Sequence, residues 1–291
     1  MRPRPFLLAI ATSASILAGC HSAPQPPPPS TPSPTASLEN AATDAQATHR
    51  PLAILVIDST RSDADRTALA AFHSTTAKDQ SIIPVVLDLT SSRNRAAAAP
   101  LHALDGPTLI CQSPASIIIS RDTQSITADL VRRRIDQAKQ EGPQLDQELA
   151  QLNTAARANP NDVAARMDLA AFLLAHDNDQ QALAPLDSVA HDQSADLPIR
   201  IQAWVAAGKA HLWIGEPEKA RHSAQALIAT LGPQSPDAIA GGNLVRGLQD
   251  KRAKRYDRAQ DEFVAAVAAS PASIYGKQAR ISLDQLKRGE K

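Results

Sequence analysis

The C-terminal half of the chain carries an internal repeat. Alanine recurs at Ala182, Ala220 and Ala259, with spacings of 38 and 39 residues, inside segments rich in Ala and Leu. Recurrence at a nearly constant period indicates a repeat architecture. Aromatic residues make up only 3% of the chain, so its cores must be built from small and aliphatic side chains, which suit closely packed helices. These features predict an all-α region over residues 143–291.

The best-formed copy of the repeat is the segment 239–271. Five of its residues form a recognisable pattern: Gly247, Tyr256, Ala259, Phe263 and Pro271. This pattern resembles the tetratricopeptide repeat (TPR), a pair of antiparallel helices. The resemblance places each recurring alanine where the two helices of a repeat cross. The alternative is an irregular helical bundle with alanine at its crossings.

The TPR resemblance implies three repeats and two flanking helices. The repeats would cover residues 162–191, 198–231 and 239–271, with a partial repeat at 143–158 and a capping helix at 272–288. Such arrays are protein-binding scaffolds, so the resemblance implies that the concave surface binds protein or peptide partners. The candidate partner-binding residues on the first helices of repeats two and three are Trp204, His211, Asn243 and Arg246.

A first folded region is predicted over residues 51–141. The apolar run 52–57 has the composition of a buried parallel strand, and further strands are predicted at 82–89, from 107 and at 116–119. Helices are predicted at 64–78, 93–104 and 127–139. Gly142-Pro143 is expected to end that last helix and start another, which separates the two folded regions.

The resulting order, β-α-β-α-β-β-α, resembles the thioredoxin fold. The local match is Gly106-Pro107-Thr108-Leu109, where thioredoxins carry a cis-proline, and we therefore predict that the bond preceding Pro107 is cis. Residues 61–66, which correspond to the redox motif, contain no cysteine, so disulfide exchange of the thioredoxin type is excluded. Two interpretations remain for this helix start: a substrate-binding cleft without redox activity, and a scaffold helix with a good N-cap.

The N-terminus predicts export and lipid anchoring. Residues 1–19 contain a basic start and an apolar core too short to span a bilayer, as in signal peptides. Leu17-Ala18-Gly19-Cys20 resembles the lipobox of bacterial lipoproteins, which implies acylation of Cys20 and membrane anchoring. By that resemblance His21, which is not the aspartate of inner-membrane retention, favours the outer membrane. Residues 20–50 are predicted to be a Pro-rich, disordered tether.

Composition and spacing argue against several kinds of site. The chain has 30 basic and 30 acidic residues, so no basic field for nucleic acid is predicted. No metal or cofactor site is predicted, since His211 and His222 lack neighbouring ligands at metal-binding spacing. Basic runs at 251–255 and 132–134 are expected near helix C-termini, where the dipole favours cations, although acidic partners or anionic lipid are alternatives.

The combination of regions resembles the bacterial co-chaperone family in which a thioredoxin module is fused to TPR helices. The resemblance implies a non-enzymatic adaptor of the cell envelope that binds other proteins. The second hypothesis is a thiol- or peroxide-active enzyme that uses Cys111 alone, although a buried structural thiol is expected for a cysteine within a strand. The third is an assembly or secretion lipoprotein in which the thioredoxin-like part is a spacer.

Overall fold

The computed structural model describes residues 38–104, 106–123 and 125–289, so the predicted signal peptide, Cys20 and the Pro-rich part of the tether lie outside the described residues. The elements of the N-terminal part are α1 (Leu38–Thr48), β1 (Leu52–Ile57), α2 (Asp63–Thr76), β2 (Ile83–Asp88), α3 (Ser92–Ala98), a 3-10 turn (Ala99–Leu101), β3 (Thr108–Gln112) and β4 (Ile118–Asp122). The helices that follow are α4 (Ala128–Ala158), α5 (Val163–Ala175), α6 (Asp179–Ala190), α7 (Leu197–Trp213), α8 (Pro217–Leu231), a 3-10 turn (Gly232–Gln234), α9 (Pro236–Arg252), α10 (Tyr256–Ala269) and α11 (Ile274–Lys287).

The four strands form one mixed sheet in the order β2-β1-β3-β4. Strand β1 pairs in parallel with β2 and antiparallel with β3, and β4 is antiparallel to β3. All six residues of β1 are buried because both faces of the strand are covered. Leu52, Ile54 and Val56 face α1 and α3, while the alternating residues 53, 55 and 57 face α2 and α4. The predicted order of strands and helices over this region is confirmed.

Helix α1 corrects the predicted extent of the disordered tether. Residues 38–48 are helical, and Ala41 and Ala45 are fully buried in the core on the α3 side of the sheet. The prediction of coil up to residue 50 is therefore wrong for this stretch. Its polar composition suggested coil, but two alanines one turn apart are sufficient to seat a short helix against the sheet.

Helix α4 runs without a break through Gly142-Pro143, so the predicted helix boundary there is wrong. Proline inside a helix leaves the carbonyl one turn earlier without its donor and costs about 3 kcal/mol. Packing at both ends of α4 offsets this cost: Val131 and Ile135 lie in the sheet core, and Leu149 lies in the core of the helices that follow. The boundary proposed between the two folded regions therefore falls inside one continuous helix.

The continuous helix also changes the setting of the second basic run. Arg132, Arg133 and Arg134 lie in the first two turns of α4, not near its end, so the helix dipole does not favour them. Arg134 is instead held by both oxygens of Asp122, with nitrogen–oxygen distances of 2.8 and 2.9 Å.

The helical region contains three equivalent turns. Residues Asp177, Gly215 and Lys254, in the α5–α6, α7–α8 and α9–α10 turns, have φ of 52°, 83° and 59°. In each turn the next backbone N–H donates to the carbonyl five residues earlier at 2.8 Å, at Asn178→Leu173, Glu216→His211 and Arg255→Asp250. These turns repeat with the same 38- and 39-residue spacing as the three alanines, each of which follows its turn residue by five positions. The predicted all-α C-terminal region is confirmed, and each of its helices packs on the next one along the chain.

Because only glycine adopts a left-handed conformation without strain, the three turns differ in their response to substitution. We expect Lys254→Gly to raise the free energy of unfolding by about 0.5–1 kcal/mol and Gly215→Ala to lower it by about 1–2 kcal/mol. Urea unfolding followed by circular dichroism measures both. Ala253→Gly is the control, since its φ of −78° suits any residue and glycine there should destabilise. Equal signs for the two glycine-introducing variants would contradict this account.

Glycines bring α7 and α9 close together. A Cβ on Gly208 would lie 2.9 Å from Val245, and one on Gly241 would lie 2.6 Å from Val205. Both distances are shorter than real Cβ contacts, so each valine occupies the space that a side chain would need. The first helices of two neighbouring pairs therefore pack directly on each other as well as on their own partners.

Candidate functional site: two clefts along helix α7

Three of the four residues predicted to contact a partner lie on the inward face of the helices. Trp204, His211 and Asn243 are all buried. The Trp204 ring packs on the His191 ring at a centroid distance of 4.6 Å, and His211 Nδ1 lies 2.9 Å from Glu216 Oε2. Their surroundings are therefore those of packing residues, with no surface for a partner.

Arg246 is the fourth predicted contact residue and is partly exposed. It lines a polar recess of about 270 Å³ between α8, α9 and α10, where its guanidinium pairs with Glu262 at 2.5 Å. Of the four residues predicted on α7 and α9, three therefore face the core and Arg246 alone is partly exposed.

A large cleft, which we call the α7 cleft, runs along another face of α7. It encloses about 820 Å³, and α7 contributes Gln202, Ala206, Lys209 and Trp213, spaced by three or four residues on one helical face. The opposite walls come from α11, through Ile274, Tyr275 and Gln278, and from the α5–α6 turn, through Asp177 and Asp179. The sheet region closes one side with His102 and Arg121.

Contacts between the sheet region and the α5–α6 turn hold this wall in place. The Arg121 Nη1 and Asp177 Oδ2 atoms form an ion pair at 2.8 Å, and Asn178 Nδ2 donates to the Ser116 carbonyl at 3.1 Å. Ile117, from the turn between β3 and β4, is fully buried in the core of the helical region. The cleft therefore has walls from both regions, held together by packing and polar contacts.

A second cleft of about 780 Å³ adjoins the first and shares three of its residues, His102, Lys209 and Trp213. We call it the basic cleft. The rest of its lining comes from the turn before β3 and from α7, α9 and α10: Ala99, Leu104, Leu212, Leu248, Lys251, Arg252, Lys254 and Tyr256. None of these lining residues is acidic, whereas Asp177, Asp179 and Asp237 line the α7 cleft.

Trp213 stands where the two clefts meet. Its side chain is 53% exposed, which is unusual in a chain with so few aromatic residues. The His102 ring stacks on it at a centroid distance of 5.6 Å and an interplanar angle of 23°, and the Arg252 guanidinium carbon lies 5.5 Å from the ring centre. His102 Nε2 lies 3.0 Å from Asp179 Oδ2. Trp213 is therefore held in one orientation by a stacked ring and a cation.

Four cations of the basic cleft have no carboxylate partner among the described residues. Lys209 Nζ donates to the Gln278 amide oxygen at 2.9 Å, and Lys251 Nζ donates to that of Gln285 at 3.3 Å. Arg252 and Lys254 have no ion pair within the described part of the chain. Burial lowers the pKa of Lys209, because the charged ammonium loses hydration that no opposite charge replaces.

The start of α2, which the resemblance compared with the thioredoxin redox motif, is occupied by internal capping. Ser62 Oγ accepts from the backbone N–H of Asp65 at 3.2 Å and donates to its carboxylate at 2.7 Å. The Asp65 carboxylate also accepts from the backbone N–H of Asp58 at 3.1 Å. These contacts favour the interpretation of this stretch as a well-capped scaffold helix.

Cys111 lies in β3 and is fully buried on the α2–α4 side of the sheet. Burial raises the pKa of its thiol to about 12, even though Ser120 provides a hydrogen bond. This setting disfavours the thiolate, which is the nucleophilic form of cysteine. The cis conformation predicted for the bond preceding Pro107 stays a prediction.

We expect Cys111 to react with Ellman's reagent only when the protein unfolds, because the reactive thiolate is disfavoured and inaccessible. In a Cys20→Ser variant Cys111 is the sole thiol of the chain, so colour development reports on it alone. Native protein at mildly alkaline pH should give almost no signal, and urea should restore it in step with unfolding. Rapid reaction in the native state would revive a catalytic role for Cys111.

Within the described ranges, no cluster of three or more His, Cys, Asp or Glu side chains is arranged to hold a metal ion. No helix among the same residues combines the length and apolarity needed to cross a bilayer. The chain matches no protein-family model and no curated protein sequence.

Proposed function

We propose that this protein is a lipid-anchored, non-enzymatic adaptor of the bacterial cell envelope that binds other proteins in the α7 cleft. In this proposal the sheet region is thioredoxin-like without redox activity, and the helices from α5 to α10 are three TPR-like repeats capped by α11. The chain would thus be similar to the thioredoxin–TPR co-chaperone family, with a membrane anchor added.

The observation that carries the proposal is the α7 cleft itself. It is large and open, it is lined by a mixture of apolar, polar and charged side chains, and it lies between two tightly packed regions. The three equivalent turns and the close approach of α7 and α9 support a repeat array, because a stacked array places its first helices side by side. The predicted β-α-β-α-β-β-α order supports the thioredoxin-like part.

Two observations support a non-enzymatic role. The thiol of Cys111 is buried and its pKa is raised to about 12. The stretch 61–66 contains no cysteine, and its polar groups cap α2. The lipid anchor rests on the Leu17–Cys20 sequence, and His21 favours the outer membrane. A Cys20→Ser variant tests the anchor, since it should leave the membrane fraction after cell lysis.

Helix α11 provides a matched pair of variants for testing the cleft. Ile274 and Ile281 are 61% and 59% exposed, but only Ile274 lines the α7 cleft. Full-length tagged protein should recover its partners from envelope membranes when Ile281→Asp is introduced and should lose them when Ile274→Asp is introduced. Loss or retention of the partners in both variants would defeat the proposal.

A further inference from the structure

The basic cleft concentrates positive charge in a chain that has equal numbers of acidic and basic residues. Three arginines near this region are paired, in Arg246–Glu262, Arg255–Asp250 and Arg121–Asp177. In the basic cleft Lys209, Lys251, Arg252 and Lys254 have no carboxylate partner among the described residues. The local field therefore remains positive and favours an anionic ligand.

Helix geometry explains only part of this cluster. Lys251 and Arg252 lie in the last turn of α9, where the dipole favours cations. The dipole does not explain the partial burial of Lys209 beside a neutral amide. Placing an ammonium there without an opposite charge costs free energy, so the position is unfavourable until an anion arrives.

The cleft also offers apolar surface next to its cations. Trp213 and Leu104 are both exposed, and the side chains of Leu212 and Leu248 line the same space. A held tryptophan beside leucines is suited to receive an aromatic or aliphatic side chain, and rigid aromatic residues supply much of the binding free energy at protein interfaces. The surface thus requires a ligand with both carboxylates and an apolar group.

The shape of the site selects among anionic partners. The basic cleft is concave and continues into the α7 cleft through His102, Lys209 and Trp213. A flat bilayer surface does not complement a recess of about 780 Å³, and a single small anion does not use its apolar lining. An extended polypeptide segment can enter the recess and present both carboxylates and an apolar side chain to the basic cleft.

We propose that the basic cleft binds an acidic peptide segment of the partner that carries an aromatic or aliphatic side chain beside its carboxylates. The apolar side chain packs on Trp213, and the carboxylates pair with Lys209, Lys251 and Lys254. The inference rests on the proposed adaptor function and specifies the chemistry of the segment that the partner presents.

The test uses the full chain and a fluorescein-labelled, Glu-rich peptide with one central Phe. Its counterpart has every Glu replaced by Gln. We expect the acidic peptide to raise fluorescence anisotropy on binding, the neutral peptide to bind at least about tenfold more weakly, and added salt to weaken the acidic peptide. Equal binding of the two peptides, or no binding of either, would overturn the inference.

Variants locate the binding. Lys251→Gln with Lys254→Gln should weaken the acidic peptide about tenfold, and Trp213→Ala should weaken it by about tenfold or more. The matched control, Lys78→Gln with Arg133→Gln, removes two exposed, unpaired cations elsewhere and should change affinity by less than about twofold. Equal effects of the two double variants would overturn the inference.

A variant of Lys209 provides a second, independent measurement. Lys209→Met removes a partly buried charge without a carboxylate partner, so we expect a higher melting temperature together with weaker peptide binding. Preserved binding in this variant would contradict the assigned role of Lys209. A merely structural lysine would lose stability on replacement and leave peptide affinity unchanged.

Two further measurements test whether the cleft binds other anions. A third comparison distinguishes failure of this inference from failure of the proposed adaptor function. If vesicles rich in phosphatidylglycerol bind through Lys251 and Lys254 and the peptide does not bind, the cleft is a membrane-lipid site and the inference is overturned. If inorganic phosphate displaces the peptide at low concentration, the cleft is a small-anion site and the inference is likewise overturned. If the peptide fails to bind while the Ile274→Asp and Ile281→Asp contrast persists, the inference fails and the proposed function stands.

Discussion

Replacement of Phe263 by alanine is expected to lower the free energy of unfolding by about 3–5 kcal/mol. The Phe263 ring is fully buried and packs directly over Gly247, where a Cβ would lie 2.5 Å from the ring. Phe263 belongs to a small core formed by α9, α10 and α11, whose other buried members are Leu244, Ala259, Ala266 and Ala279. Three of these are alanines, so truncation of the ring leaves a cavity that they are unable to fill.

Urea unfolding monitored by circular dichroism measures the loss, and the neighbouring residue gives the control. Val264 is 49% exposed, so Val264→Ala should change stability by less than about 0.5 kcal/mol. Gly247→Ala should destabilise the wild-type chain but destabilise the Phe263→Ala variant less, because the new methyl enters the vacated space. Additive effects of the two substitutions would show that the two positions do not pack on each other.

The second large effect is expected at Gly276, in the first turn of α11. A Cβ there would collide with the Ser270 carbonyl oxygen and lie 3.0 Å from its carbon and 3.2 Å from the Pro271 Cα. These are backbone atoms, which do not move aside as a side chain does. We expect Gly276→Ala to cost about 3 kcal/mol and to displace α11.

Because α11 carries Ile274 and Gln278, the same variant should also weaken partner binding in the α7 cleft. Thermal unfolding and partner recovery are measured together on the full chain. Lys277→Ala is the control, since that exposed neighbour should alter stability by less than about 0.5 kcal/mol. A stable Gly276→Ala protein with normal recovery would show that the α10–α11 turn is not constrained as described.

Much of the secondary structure follows from local sequence. The six apolar residues of β1 and the recurring alanines locate the central strand and the helix pairs, because periodicity and length are properties of the chain itself. Helix α1 and the unbroken α4 do not follow. Gly142-Pro143 is a strong local signal for a helix end, and only packing at both ends of α4 overrides it.

The face of α7 that lines the two clefts was also difficult to predict from local sequence. Helix α7 is apolar or small on nearly all sides, so its pattern does not distinguish the core face from the cleft face. Trp204 and Trp213 look alike in sequence, yet one is buried and the other stands between two clefts. Two sequence features distinguish the face that lines the clefts: a lysine at position 209 within an apolar helix, and a tryptophan in its last turn.

The stacking of His102 on Trp213 could not be predicted from the sequence alone. His102 follows a 3-10 turn in the sheet region, more than 100 residues before Trp213, and only the folded arrangement stacks the two rings. Contacts of this kind depend on how the sheet packs against the helices, which no local pattern encodes.

The most direct test of the adaptor proposal is site-specific crosslinking in the membrane-bound, full-length protein. A photoreactive amino acid is placed at Gln202, which is exposed in the α7 cleft, or at Thr230, which is exposed on α8 outside it. The proposal predicts that the Gln202 position crosslinks to another protein, that Ile274→Asp abolishes this product, and that Thr230 gives none. Crosslinking at Thr230 alone, or equally at both positions, would contradict it.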